Sequence, residues 1–166
     1  MMKKSILTVL LWLAVVPAVT YGQTKKPKKQ REMEKTEQVR RLVEAQDYVF
    51  VAERVHPTTG RSRTLTSPYD LIVNKDAVSA FLPYFGRVYV APADPTEGGI
   101  KFLSRDFDYT LQTDGKNGWK VKIITKDGNK RYDLFLNITE SGSADLLVQE
   151  VTRQSIRFSG HIESKP

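Results

Sequence analysis

Cysteine is absent from all 166 residues. That excludes a thiolate nucleophile, cysteine metal ligands and any disulfide, and stability has to come from burial alone. It also excludes a bacterial lipoprotein anchor, which needs a cysteine just after the processing site. Histidine is scarce, with His56 and His161 the two in the chain. A zinc site wants three or four converging ligands, so neither a metal nor a cofactor is expected. No G-x-S-x-G elbow, phosphate-binding glycine loop or dinucleotide fingerprint occurs. No catalytic residue is assigned on these grounds. A Ser-His-Asp arrangement stays open, because its members meet in space and not in sequence.

Long apolar runs are absent after the first residues. Met1 to Lys4 form a positive start, Ser5 to Val16 are almost all apolar, and Pro17 opens a short polar region. This is the pattern of a secretory signal peptide, too short to span a bilayer, which takes about 20 residues. Residues 1–22 are read as the signal, with cleavage expected between Gly22 and Gln23 and a cut after Thr20 as the alternative. The product is expected in the periplasm, or secreted, with no transmembrane segment left.

The domain also lacks charge of either sign in excess. The whole chain is +7, and loss of Lys3 and Lys4 leaves +5. Residues 23–41 hold eight basic side chains (Lys25, Lys26, Lys28, Lys29, Arg31, Lys35, Arg40, Arg41) and three acids (Glu32, Glu34, Glu37). Residues 42–166 hold 16 of each and sum to zero. A domain without a basic bias gives no footprint for nucleic acid.

What is present reads as a β-protein. Residues 23–30 form a flexible basic leader broken by Pro27, read as a solvated linker, with peripheral electrostatic contact as the alternative. Residues 31–46 carry a narrow helical stripe of Met33, Val39, Leu42 and Val43, with Glu37 and Arg41 in the favourable order. From residue 47 to 166 the period is two. Tyr48, Phe50 and Ala52 alternate, as do Phe107, Tyr109 and Leu111. Trp119, Val121 and Ile123 follow, then Tyr132, Leu134, Leu136 and Ile138. Leu146 and Val148, and finally Ile156, Phe158, Gly160 and Ile162, complete the series. Turns fall at Pro57–Gly60, Asp114–Gly118 and Asp127–Lys130. Asp76 to Phe81 is expected to form one or two helical turns behind an Asn74 or Asp76 cap. The expected fold is mainly β: one antiparallel sandwich or barrel-like domain of about eight strands, preceded by one N-terminal helix.

Two sets of residues are candidates for ligand binding. LPYFGRVY (82–89) combines a proline, two aromatics, a glycine and an arginine. Tyr84 and Phe85 suit stacking on a flat ligand or sugar, and Arg87 suits a carboxylate or phosphate. The same residues suit a structural corner, with Pro83 stiffening the chain and Gly86 permitting a bend or close approach. Asp106 and Asp108 are two apart on one expected strand, so both side chains point the same way. They are a candidate cation or sugar site, or the polar side of a half-wet strand.

The chain resembles the exported domain-of-unknown-function family 4251, frequent in Gram-negative gut anaerobes of the Bacteroides type. The resemblance rests on YVFVA (48–52) before Pro57 and Gly60, Tyr69, LPYFGR (82–87) and GIKF (99–102). It continues through Gly118–Trp119, YDLFLNI (132–138) and RQSIRFSG (153–160). Val88 departs from the small residue expected after Arg87. The resemblance implies export and a β-rich domain, and carries no activity, cofactor or catalytic residue. The reading favoured here is a non-catalytic envelope protein that binds a small molecule, a glycan or a protein through its β-domain. The alternatives are a carboxylate-dependent hydrolase built on Asp106 and Asp108, and a scaffold component that docks through its leader and helix.

Overall fold

A proline stands just ahead of the helix. In the computed structural model, residues 27–90, 98–115, 118–127 and 130–165 are described. The expected signal peptide, the leader as far as residue 26, most of the 91–99 loop and the centres of the 114–118 and 127–130 turns lie outside them. The carbonyl of Pro27 accepts the N–H groups of Gln30 and Arg31 at 3.0 and 3.2 Å and starts helix α1, Lys28–Ala45. The helix therefore begins three residues before the expected start, and Lys28 to Gln30 are its first turn, not leader. Proline fixes its own backbone angle at this point, and lysine and glutamine are good helix formers. Gln46 ends the helix in a left-handed conformation, φ 53°. There the Gln46 and Asp47 N–H groups reach Val43 and Leu42 carbonyls. Val39 and Val43 are buried, and the rest of the surface is largely wet. Glu37 pairs with Arg41 at 2.9 Å, in the expected order.

Ten strands follow among the described residues: β1 (Tyr48–Pro57), β2 (Arg63–Thr64), β3 (Asp70–Val73), β4 (Val78–Leu82), β5 (Ile100–Ser104), β6 (Phe107–Thr113), β7 (Trp119–Thr125), β8 (Asp133–Ile138), β9 (Ser143–Glu150) and β10 (Arg153–Glu163). Their order in one antiparallel sheet is β5-β4-β3-β1-β10-β9-β8-β7-β6, with β2 paired to β1. The even number of reversals along that order makes β5 and β6 run the same way. Only Arg105 and Asp106 separate them, so β6 continues β5 around a corner. The sheet thus curls into a nearly closed barrel whose two edges meet at this corner.

Asp127 holds the corner. Its carboxylate accepts the Ser104 hydroxyl, the Arg105 N–H at 2.7 Å and the Asp106 N–H at 3.3 Å. The Lys126 N–H reaches the Asp106 carbonyl at 2.8 Å. Hydrogen bonds to the charged form hold the Asp127 carboxyl below its ordinary value, the Ser104 hydroxyl contributing most.

One segment differs from expectation. Residues 76–81 are not helical, because β4 begins at Val78. The Asn74 side chain does accept the Asp76 and Ala77 N–H groups, at 3.0 and 2.6 Å, and the Asn74 N–H reaches the Ala77 carbonyl. This side-chain turn closes a β3–β4 hairpin in place of capping a helix. Val78, Ala80 and Leu82 are buried and alternate with Ser79 and Phe81, and that period decides the outcome.

The inward residues of the long strands form one core. Phe50, Val55, Leu71, Ile123, Leu134, Leu146 and Phe158 are completely buried. Each contributes about 1.5–3 kcal/mol relative to exposure. Helix α1 covers one end of the barrel, where the Tyr109 hydroxyl donates to the Val43 carbonyl at 3.0 Å. Burial pushes the Tyr109 hydroxyl up to about 12.

Candidate functional site

The LPYFGRVY stretch lies at the opposite end. Tyr84 folds back over Gly86, so closely that a Cβ there would stand 2.5 Å from the phenolic oxygen. That hydroxyl lies 2.7 Å from the Arg87 carbonyl and 2.9 Å from the Gln154 carbonyl. Burial raises its pKa above the ordinary value. The Gln154 N–H donates to the Arg87 carbonyl, and the Tyr89 N–H donates to the Thr152 carbonyl. Val88 bridges Arg153. Residues 87–90 therefore run beside the start of β10, where β1 has already ended at Pro57.

Beneath this segment sits a buried ion pair. Arg153 and Glu150 stand 3.4 Å apart with side chains 4% and 5% exposed. Arg153 also donates to the Gly99 carbonyl at 2.8 Å and lies 5.2 Å from the Tyr84 ring centre. A buried charge needs such neighbours, because an unpaired one costs several kcal/mol, about 3–5. Tyr84 thus serves as a fastening. Phe85 is on the surface under the Arg63 guanidinium at 4.9 Å, and the Arg87 side chain is exposed.

Asp106 and Asp108 do not share a strand as expected, because β6 begins at Phe107. Asp106 belongs to the β5–β6 corner, through its backbone. Asp108 lies on β6 and pairs with Lys126 at 2.5 Å, which raises the lysine pKa. The structure does not bring either of them to the Tyr84 fastening.

A groove of about 540 Å³ opens on the outer face of β1, β10 and β9, lined by His56, Thr58, Asp145, Leu147, Ser155 and Arg157. Register builds it: His56 faces Arg157 across β1 and β10, and Arg157 faces Leu147 across β10 and β9. The His56 ring is held at both nitrogens, 2.8 Å from the Ser62 hydroxyl and 2.9 Å from the Ser159 hydroxyl. The Thr58 hydroxyl donates to the Ser155 carbonyl at 2.7 Å. A cation, an anion, an oriented imidazole and an apolar side chain thus face one space. A nucleophile activated in the triad manner needs a carboxylate behind the histidine, and here the second nitrogen meets a hydroxyl. The arrangement suits recognition better than acyl transfer.

Sequence reasoning noticed His56 and missed the groove. Alternation states which residues of these strands face inward, but only pairing joins residues about a hundred positions apart. Among the described residues, no cluster of three or more His, Cys, Asp or Glu is arranged to hold a metal, and no helix is long and apolar enough to cross a membrane.

Comparison with other proteins agrees with this architecture. A crystal structure of a DUF4251 family protein from Bacteroides eggerthii superposes with a TM-score of 0.62 at 17% identity, covering 82% of this chain and 92% of that one. That similarity concerns the fold. No curated protein matches the chain. The profile of the domain of unknown function DUF4251 matches residues 30–162, and the chain belongs to that family.

Proposed function

We propose that this chain is an exported, non-catalytic envelope protein whose β-domain binds a small polar molecule or a short glycan in the His56–Arg157 groove. The observation that carries the reading is the groove's composition: fixed hydrogen-bonding groups around one apolar side chain, on a rigid sheet. Binding sites commonly combine an apolar surface with a few oriented polar groups. The guanidinium of Arg157 suits a carboxylate or other oxyanion, while Asp145 suits hydroxyl donors. Export rests on the basic start, the apolar run and the small residues before Gln23, with the periplasm as the destination.

Native mass spectrometry of the protein purified from its own envelope, without refolding, tests the reading. A co-purifying small mass that is lost in Arg157→Ala or His56→Ala, with the fold intact by circular dichroism, is the expected result. A bare chain in the native preparation, or a ligand retained by both variants, overturns it. Turnover abolished by one side-chain change would replace it with an enzyme.

A further inference from the structure

The end of the barrel beneath LPYFGRVY exposes apolar side chains on two adjoining segments. Val88, Tyr89 and Val90 are 41%, 65% and 61% exposed. They lie against the β9–β10 turn, whose Val151 is 88% exposed. Phe85, 39% exposed, adds to the same end. Val151 stands at the tip of the β9–β10 hairpin.

Exposed arginines stand beside this patch. The described segments 57–69 and 82–90 contain three arginines and no Asp or Glu, and Asp70 and Glu150 border the patch. Arg153 is buried with Glu150, while Arg61, Arg63 and Arg87 are exposed. Arg63 lies over Phe85, and Arg87 directly precedes the apolar run. Among the described residues, exposed arginines therefore flank the protruding valines and tyrosine. Apolar tips ringed by arginine, with an amphipathic ring among them, match the boundary between acyl chains and anionic headgroups.

We infer that this end of the barrel docks on an anionic lipid surface, with Tyr89, Val90 and Val151 entering the headgroup region and Arg61, Arg63 and Arg87 on the phosphates. The contact is separate from the His56–Arg157 groove, and it does not use the basic leader.

The test is sedimentation of the purified mature chain with phosphatidylcholine vesicles, with and without phosphatidylglycerol. Selective binding to the anionic vesicles is expected. Replacing Tyr89, Val90 and Val151 by serine should weaken it at least about tenfold, since each buried apolar group adds to such affinity. Arg61→Gln, Arg63→Gln and Arg87→Gln together should reduce it and flatten its salt dependence. Replacing Lys25, Lys26, Lys28 and Lys29 by glutamine should leave substantial binding. Tyr89→Trp supplies a direct readout, because the change in indole emission between free and vesicle-bound protein should be a blue shift with anionic vesicles only. No binding, binding abolished by the leader variant alone, or an emission that does not shift in Tyr89→Trp overturns the proposal. So does a dimer in solution that the serine variant dissolves, which would make this end a self-interface.

Discussion

The Tyr84 ring occupies the space that a side chain at Gly86 would need, with the Tyr84 hydroxyl 2.5 Å and Cζ 2.7 Å from the Cβ position. The glycine is therefore required by a neighbouring ring and not by a positive backbone angle. Gly86→Ala should swing Tyr84 out and break its bonds to the Arg87 and Gln154 carbonyls. A loss of about 1–3 kcal/mol in urea unfolding is expected, as for other overpacked sites. Tyr84→Phe, which keeps the ring, should cost only about 1 kcal/mol.

Two buried tyrosines should respond differently to loss of a hydroxyl. The Tyr109 hydroxyl donates to the Val43 carbonyl, while that of Tyr48 is buried against the Tyr109 hydroxyl without a hydrogen bond of ordinary geometry. Tyr48→Phe should change stability by less than about 1 kcal/mol, because its hydroxyl meets only that of Tyr109. Tyr109→Phe should destabilise by about 1 kcal/mol and loosen the helix against the barrel. Chemical denaturation and amide exchange in residues 39–45 check both.

Alkaline pH should unfold the domain through the same pair. Burial raises Tyr48 and carries Tyr109 from 10.0 to about 12. The unfolded chain releases these protons first, so the stabilisation is whole below pH 10 and is lost as pH rises toward 12. Tyr109 alone accounts for a loss on the order of 2 kcal/mol across that window. Tm measured from about pH 8 to 12 should fall, and less steeply in Tyr109→Phe.

Acid should act at the β5–β6 corner. Asp127 is held below its ordinary value of 3.8, chiefly by the Ser104 hydroxyl and the Arg105 N–H. A lowered carboxyl stabilises the fold above its unfolded value and loses that effect as pH falls through the folded one, here below about pH 4. Asp127→Ala should lower Tm at neutral pH and show a weaker further decline in acid. An acid profile unchanged from wild type would remove Asp127 from the closure of the sheet.

Gly160 supports the longest pairing in the sheet. A Cβ there would lie 1.9 Å from the Val51 carbonyl oxygen, beside the irregularity between Ala52 and Arg54 in β1. Gly160→Ala should force β1 from β10 and cost about 3 kcal/mol. Protection of the β1 amides against exchange should drop more than that of β7.

The residues themselves determined the class of fold and which side of each strand faces inward. Trp119, Val121 and Ile123 are buried between exposed lysines, and Leu134, Leu136 and Ile138 repeat the pattern. Period-two burial follows from backbone geometry alone, so it needs no knowledge of partners. The same local reasoning failed at 76–81, where a capping asparagine serves a hairpin as readily as a helix. It also marked LPYFGR without distinguishing fastening from site, because the roles of Tyr84 and Phe85 depend on Gln154 and Arg63. Closure of the sheet, the Asp127 clamp and the groove joining His56, Asp145 and Arg157 were decided only in three dimensions. Alternation states which way a side chain points, while strand order and register state what it meets, and those depend on contacts across the whole chain.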